Sequence, residues 1–579
     1  MKLLKTNKEF LPILLILISS FFTLLPLIHG GILHYGVDMS FHLNRAYELA
    51  ENLKHGALFP YIYTYSFNQV GMPLGMVYGA APLYPIALSL IVFKNPIFAV
   101  YLGIWSIIFA GMLLSYWIGL KYWEHNRKKA LLFSFLYVIS NYVFNLFFGS
   151  FDLGQSGSLV FLPLIAYGAY SIFFKNHHEW YLLTLGMTGV IYTHILSTLM
   201  YSVLVMIITI LGLVFADHKL KRFLSLIYAV ILTLGTTLFS WISLFQTFSH
   251  NQLTVTKPSS ISSAGQGVGD FLIKVLNSNS SFALGIVTLV AAFAGFLTWK
   301  KHSVRVKVTG ILGMTFCLVT TNEFNFAWYF LNKTPLTALQ WPGRFYCIAF
   351  FLLSVFAVDS ISILFANSKH KKLCYGFLLL CILFVSLSNT YTFIDDSKNQ
   401  QPINFVPSKI KPLPSSNYKI VNKPGFTYVT SKYNTGVGSI DYWPTKSLPS
   451  SYDIRDHIAL VGNDNKRVKV NPASIPNGIQ YNVSSTKPHS RIDLPFLYYF
   501  DYLVTTNGKR VKGLRSSRST MLLDLQKGNN KIQIKYIPST KIKISKYVSF
   551  FAIITLILMM FFSHLRNEKA LTELKISKQ

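Results

Sequence analysis

The segment GVDMSFHLNRAYELAENLKHGALFP (36–60) sets Asp38, His42, Arg45 and Leu49 at spacings of four, three and four. Those spacings put all four on one face of a helix that Gly56 would end. A carboxylate at such a helix start has two uses. It caps the first turn, or it takes the proton of an acceptor hydroxyl that reaches it. The two are compatible for Asp38. His42 and Arg45 are as open to a packing role as to substrate binding, while Glu48 and Glu51, further along the helix, are expected to tolerate Ala. A second segment, FFGSFDLGQSGSLVFLPL, places Asp152 and Gln155 just ahead of an apolar run, where helix capping is the plain alternative to catalysis. YTHILST puts His194 at a break between two apolar stretches, as a structural histidine or a ligand contact. In LQWPGRF, Trp341 and Arg344 precede another apolar run. Arg344 is there either as a snorkelling anchor or as an anion site, because a planar guanidinium holds two phosphate oxygens at once.

These groups need elements that present them together, and the composition says in what solvent. Hydrophobic residues make up 52% and charged residues 13% of the 579, against about 25% charged in soluble domains. Most of the surface therefore faces lipid. Lys and Arg outnumber Asp and Glu by 53 to 22, but the cations are spread over short clusters between apolar runs and a polar C-terminal third, which fits membrane flanks and excludes a nucleic-acid stripe. The N-terminal MKLLKTNKEF and its apolar run lack a small-residue cleavage site and read as a retained first helix. All four cysteines fall in apolar segments, so no disulfide framework is implied. There is no Gly-rich phosphate loop and no HExxH or CxxC spacing; no cofactor is expected, and nothing indicates a divalent metal.

Runs able to cross a hydrocarbon core of about 30 Å lie near 10–29, 97–120, 130–148, 158–174, 223–247, 282–299, 345–366, 373–390 and 546–563. Breaking 181–215 near Thr193 and His194 and adding the marginal 308–321 brings the expectation to about twelve spans. The stretch PLYPIALSLIVF (82–93) is too short and too rich in proline, and reads as an interfacial helix. With that count the basic clusters 121–129, 217–222, 300–307 and 369–372 share the side of both termini, the cytoplasmic side by the positive-inside rule. Outside lie the long first loop 30–96, the turns holding Asp152 and His194, and the segment 391–545. The last contains LPFLYYFDYLVTTNGKRVKG and TMLLDLQKGNNKIQIKYI, strand patterns about an Asn507-Gly508 turn and a KGNN turn, and is expected to be a β-sandwich. The expected organisation is thus a transmembrane domain (1–390), a β-rich extracytoplasmic domain (391–545) and a last helix with a cytoplasmic tail (546–579), in an all-α polytopic membrane protein. Asp359 is the clearest charge within a span.

The order of these features resembles the bacterial YfhO-like membrane proteins, with their "6-pyruvoyl-tetrahydropterin synthase-related" membrane domain, in the GT-C glycosyltransferase superfamily. The likeness rests on D-x-x-F-H-L-x-R (Asp38 to Arg45), G-x-L-F-P (Gly56 to Pro60), G-x-P-L (Gly71 to Leu74), PLYP and DLG before FLPL (Asp152 to Gly154). It continues in T-H-x-L-S (Thr193 to Ser197), LQ-x-P-x-R (Leu339 to Arg344) and DYWP (Asp441 to Pro444). It implies an inverting enzyme that moves a sugar from a polyprenyl-phosphate donor to an extracytoplasmic envelope polymer or lipid. Asp38 would be its base, Asp152 the second acidic position and Arg344 a phosphate contact, with His42, Arg45, Gln155, His194 and Trp341 also facing substrate. This chain departs from the family in having Gln155 where Glu is frequent, and Gly343 where Trp usually adjoins the Arg. The rival readings are a lipid or oligosaccharide transporter and a non-catalytic envelope scaffold; the partners otherwise expected are the bilayer, the donor and the acceptor, with no nucleic acid.

Overall fold

The computed structural model describes residues 7–255, 267–277, 285–334, 337, 339–397, 401–402, 418–430 and 440–576. The start of the expected span 282–299 and parts of 391–439 lie outside them. Seven helices are long and apolar enough to cross a membrane: Glu9–Gly30, Pro96–Tyr122, Ile195–Phe215, Lys219–Ser249, Pro342–Leu364, Lys371–Asp395 and Thr540–Ser563. Two bent pairs raise this to nine among the described residues, Arg127–Val138 with Asn141–Gly149 and Leu153–Leu159 with Leu162–Phe174, each bent by 41°. The sequence supplies both breaks. Ser140 accepts from Val143 N–H at 3.2 Å and restarts the first pair, and Pro163 restarts the second in the first turn, where its missing N–H costs nothing.

The expected count of about twelve spans is not reached by length and apolarity. Tyr181–Thr193, Ile286–Leu297 and Val304–Val319 have 13, 12 and 16 residues, too short at a rise of about 1.5 Å to cross about 30 Å alone. The run 181–215 does break at His194, whose backbone is extended (φ −156°, ψ 111°). PLYP opens a ten-residue helix, Leu83–Val92, packed through Leu83, Ile86 and Ala87. Asp359 is held by Lys129 Nζ at 2.7 Å and Trp123 Nε1 at 2.9 Å, so it is a buried ion pair at the basic end of the helices.

The polar C-terminal third holds two five-stranded sheets. They are formed by β4 (Ile458–Val461), β5 (Lys466–Lys469), β6 (Pro472–Ile475), β7 (Gly478–Ser485), β8 (Ser490–Leu497), β9 (Tyr502–Thr506), β10 (Lys509–Val511), β11 (Leu514–Arg515), β12 (Thr520–Leu525) and β13 (Gly528–Tyr536). Their orders are β10-β9-β13-β7-β6 and β11-β12-β8-β4-β5. Alternate residues of both, among them Ile479, Ile532 and Ile534 facing Ile492, Leu494 and Leu523, make one apolar core. Asn507 and Gly508 (φ 50° and 80°) close the β9–β10 hairpin. The KGNN segment closes none. β12 pairs with β8 and β11, and β13 pairs with β7 and β9, so that link crosses between sheets.

The first loop is part of both bodies. β1 (Leu33–His34) pairs antiparallel with β3 (Tyr418–Val421), which also pairs with β2 (Gln401–Pro402). The helix Lys423–Thr430 seats Val429, whose carbonyl accepts from Asn44 at 2.8 Å. Residues 61–77 join the sandwich core through Ile62, Tyr63, Val70 and Met72, and Asn477 Oδ1 accepts from the Ile62 N–H at 3.3 Å. Part of the segment expected as β-domain is therefore built into loop one.

Candidate functional site

The helix Met39–Lys54 carries the first set of side chains. Asp38 stands at its N-cap position with φ −100° and ψ 5°, yet its side chain accepts no bond from the first turn. Its backbone N–H instead donates to Ser150 C=O at 3.0 Å. That contact needs Gly36, because a Cβ there would lie 2.6 Å from the Ser150 carbonyl. The loop holding Asp38 is so pressed against the turn holding Asp152. Asp152 does cap its own helix, accepting from Gln155 N–H at 2.9 Å.

Together with Tyr78, His194, Gln340, Arg344, Asp441 and Tyr442, the side chains of Asp38, His42 and Asp152 line one cavity of about 570 Å³. His42 Nε2 lies 3.7 Å from Asp152 Oδ1. Arg45, fully buried, donates to Gly79 C=O at 2.6 Å, faces His42 Nδ1 at 3.3 Å, and stacks at 4.2 Å over the Tyr78 ring. A guanidinium has only donors, so His42 Nδ1 accepts and the neutral ring carries its proton on Nε2, toward Asp152. His194 Nδ1 is bonded to Ser197 Oγ at 2.8 Å. A side chain at Gly154 would come within 2.9 Å of both His194 Cδ2 and Tyr78 Oη, so the DLG glycine keeps this corner open.

Arg344 enters from the far wall. It donates to Gln340 Oε1 at 2.5 Å and to Gln155 Oε1 at 3.5 Å, and its Nε is buried with no partner among the described residues. Three non-glycine residues in the left-handed region flank the cavity groups: Phe151 (φ 58°) beside Asp152, Gln340 (φ 68°) in the approach to Arg344, and Tyr442 (φ 64°) after Asp441. A π-turn, Asn145–Gly149, leads into the Asp152 turn. Such strain persists only where the surroundings hold it, and it concentrates at functional sites.

Burial first and Asp152 second push the Asp38 carboxyl up to about 7; Arg344 pulls against them, and Asp441 adds a smaller push. Burial also pushes Asp152 upward, but His194, His42, Arg344 and the Gln155 N–H together hold it below the usual carboxylate range. Burial lowers His42 to about 3, with Arg45 adding to it, and burial lowers His194 to about 4, so both rings are neutral at pH 7. Of Asp38 and Asp152, then, the second is kept ionised and the first is poised to titrate. Among the described residues, no group of three or more His, Cys, Asp or Glu is placed to hold a metal ion.

Asp38, His42, Asp152, His194 and Arg344 therefore meet in one cavity. Arg45 and Gln155 stand behind it, the first setting the His42 tautomer and the second touching Arg344. Trp341 is outside the lining, but its indole folds over Gly343, where a Cβ would come within 2.1 Å of the ring. The indole occupies the space that a side chain next to Arg344 would take. Sequence reasoning missed Tyr78, Gln340 and Asp441 as site residues; the signals at hand were LQ-x-P-x-R, which holds Gln340, and DYWP, which holds Asp441. It also misread Glu48, whose buried carboxylate accepts from Thr64 N–H (2.8 Å), Tyr65 N–H (2.7 Å), Ser66 N–H (2.7 Å), Ser66 Oγ (3.0 Å) and Asn52 Nδ2 (2.9 Å). It clasps the site helix to residues 64–66, further along the same loop.

No protein-family model matches the sequence, and no curated protein aligns with it. Among solved structures it is similar to the arabinofuranosyltransferase AftD from Mycobacteria, determined by cryo-electron microscopy, with 11% identity and a TM-score of 0.46. The alignment covers 91% of this chain and 40% of that one, so the chain spans well under half of that protein.

Proposed function

We propose that the protein is a GT-C-type membrane glycosyltransferase that moves a sugar from a polyprenyl-phosphate donor to an envelope acceptor. The reading is carried by one observation: an arginine with a buried N–H that has no partner among the described residues and a carboxylate poised near pH 7 line the same cavity. In the proposed step the acceptor hydroxyl gives its proton to Asp38 as its oxygen bonds to the anomeric carbon. The bond from that carbon to the phosphate oxygen breaks, its electron pair leaves with the lipid phosphate, and the Arg344 fork stabilises the added charge. Attack opposite the leaving group inverts the anomeric centre. Asp152, kept ionised and facing the His42 Nε2–H, orients the acceptor side.

For the transporter reading, a coupled transporter would use charges within its spans, and Asp359, the clearest such charge, is paired with Lys129. The test is transfer from a polyprenyl-phosphate sugar in membranes at matched protein levels. Asp38→Asn should abolish it; a well-expressed variant that still transfers sugar removes the base, and unchanged envelope glycans in a deletion strain would sink the enzyme reading.

A further inference from the structure

A second cavity, of about 480 Å³, opens between helices at the end of the helical body away from the site. The helix Ile195–Phe215 shows the separation. It begins beside the site at Ile195 and Leu196, and lines the second cavity only from Leu204 to Phe215. The walls are apolar, with Ala166, Ile208, Leu312 and Val355 among them. Along the helix Val304–Val319 the groove runs from Val304 to Leu312, a rise of about 12 Å and so most of a leaflet about 15 Å deep. Phe215 and Val304, at its mouth, are 74% and 76% exposed. In a bilayer such a groove faces hydrocarbon.

Arg305 sets what can enter. Its guanidinium lies 4.8 Å over the Tyr122 ring and donates to Tyr170 Oη at 3.2 Å. Among the described residues it forms no ion pair. It belongs to the cluster KKHSVRVK, which has four cations and no acid, at the end where Lys121 and Lys175 also lie. We propose that the groove binds an anionic phospholipid of the leaflet at this basic end, one acyl chain between the helices and the phosphate on Arg305. The remaining N–H groups of Arg305 suit two phosphate oxygens, and basic pockets between membrane helices select such headgroups. The inference is independent of the transfer reaction.

The test reconstitutes the full chain in vesicles of equal phosphatidylglycerol and phosphatidylcholine, extracts it in detergent and quantifies the lipid retained by mass spectrometry. Wild type should keep phosphatidylglycerol over phosphatidylcholine by about fivefold, the attraction of one interfacial cation to an anionic leaflet. Arg305→Leu should bring that ratio near one, and Ile208→Trp, which fills the opposite wall, should reduce total retention while leaving Arg305 in place. Equal retention of both lipids by wild type, an unchanged ratio in Arg305→Leu, or unchanged retention in Ile208→Trp each overturns the proposal. If the Arg305 variant fails to fold, the wild-type ratio and the Ile208 variant decide.

Discussion

His42 Nε2 faces Asp152 Oδ1 across 3.7 Å because Arg45, behind the ring, can only donate to Nδ1. A fully buried cation thus sets the tautomer of a cavity histidine without touching the cavity. Arg45→Met keeps the length and removes every donor. It leaves Gly79 C=O and His42 Nδ1 without their donor, at a cost of about 3 kcal/mol, so thermal unfolding should show a clear loss. Transfer should fall as well, since His42 is free to carry its proton on Nδ1; full activity in a folded variant would detach the tautomer from function.

The Asp38 carboxyl, raised to about 7, makes two pH predictions with fixed signs. A base must be ionised, so transfer should fall about tenfold per pH unit below about 7. Stability runs the other way: between about pH 4 and 7 the folded state holds a proton that the unfolded state has lost, so stability decreases as pH rises through that window. Asp38→Asn removes this share of the slope. Glu48, also raised to about 7 by burial, keeps its own, so the measurement is the difference between wild type and Asp38→Asn across the window. Equal slopes would remove the assignment.

Glu48→Ala leaves the N–H groups of Thr64, Tyr65 and Ser66 without their acceptor, while Ser66 Oγ and Asn52 Nδ2 keep the backbone carbonyls of Asn44 and residue 48. It should cost about 3 kcal/mol or more, whereas Glu51→Ala, which loses only a surface pair with Lys54 at 2.7 Å, should stay within about 0.5 kcal/mol. Chemical denaturation of the two variants in one detergent compares them directly. Similar midpoints would mean that the clasp carries no energy.

Arg344→Lys keeps the charge and loses the fork. If the fork holds the leaving phosphate, transfer falls clearly, and Arg344→Ala falls further, by a few kcal/mol in transition-state terms, about 3. Lysine snorkels as well as arginine does. Equal activity of the Lys variant and wild type would therefore make Arg344 an anchor.

Cysteines at Ser150, beside the site, and at Ser303, in the basic cluster, test sidedness. An impermeant thiol reagent applied to intact cells should label the first and spare the second. Labelling at 303 would invert the arrangement.

What the sequence determined by itself is what local pattern encodes. Apolar runs need no partner to declare lipid as their solvent, the spacing of Asp38, His42 and Arg45 gave one helix face, and Asn507-Gly508 announced its hairpin because a type I′ turn depends on its own residues. The tertiary structure alone decided which segments meet. Asp38, Tyr78, Asp152, His194, Arg344 and Asp441 come from six separate stretches, and no periodicity relates positions so far apart. The same holds for cap against base: Asp38 and Asp152 both precede helices, but only Asp152 turns its carboxylate onto the first turn. The role of Glu48 was hidden because four of the five donors to its carboxylate come from residues 64–66, beyond its own helix, and KGNN patterned as a hairpin although its flanking strands pair in sheets on opposite sides of the sandwich core. Burial and long-range hydrogen bonding are properties of the packed chain, which is why side chains of ordinary local character became the ones that hold the site together.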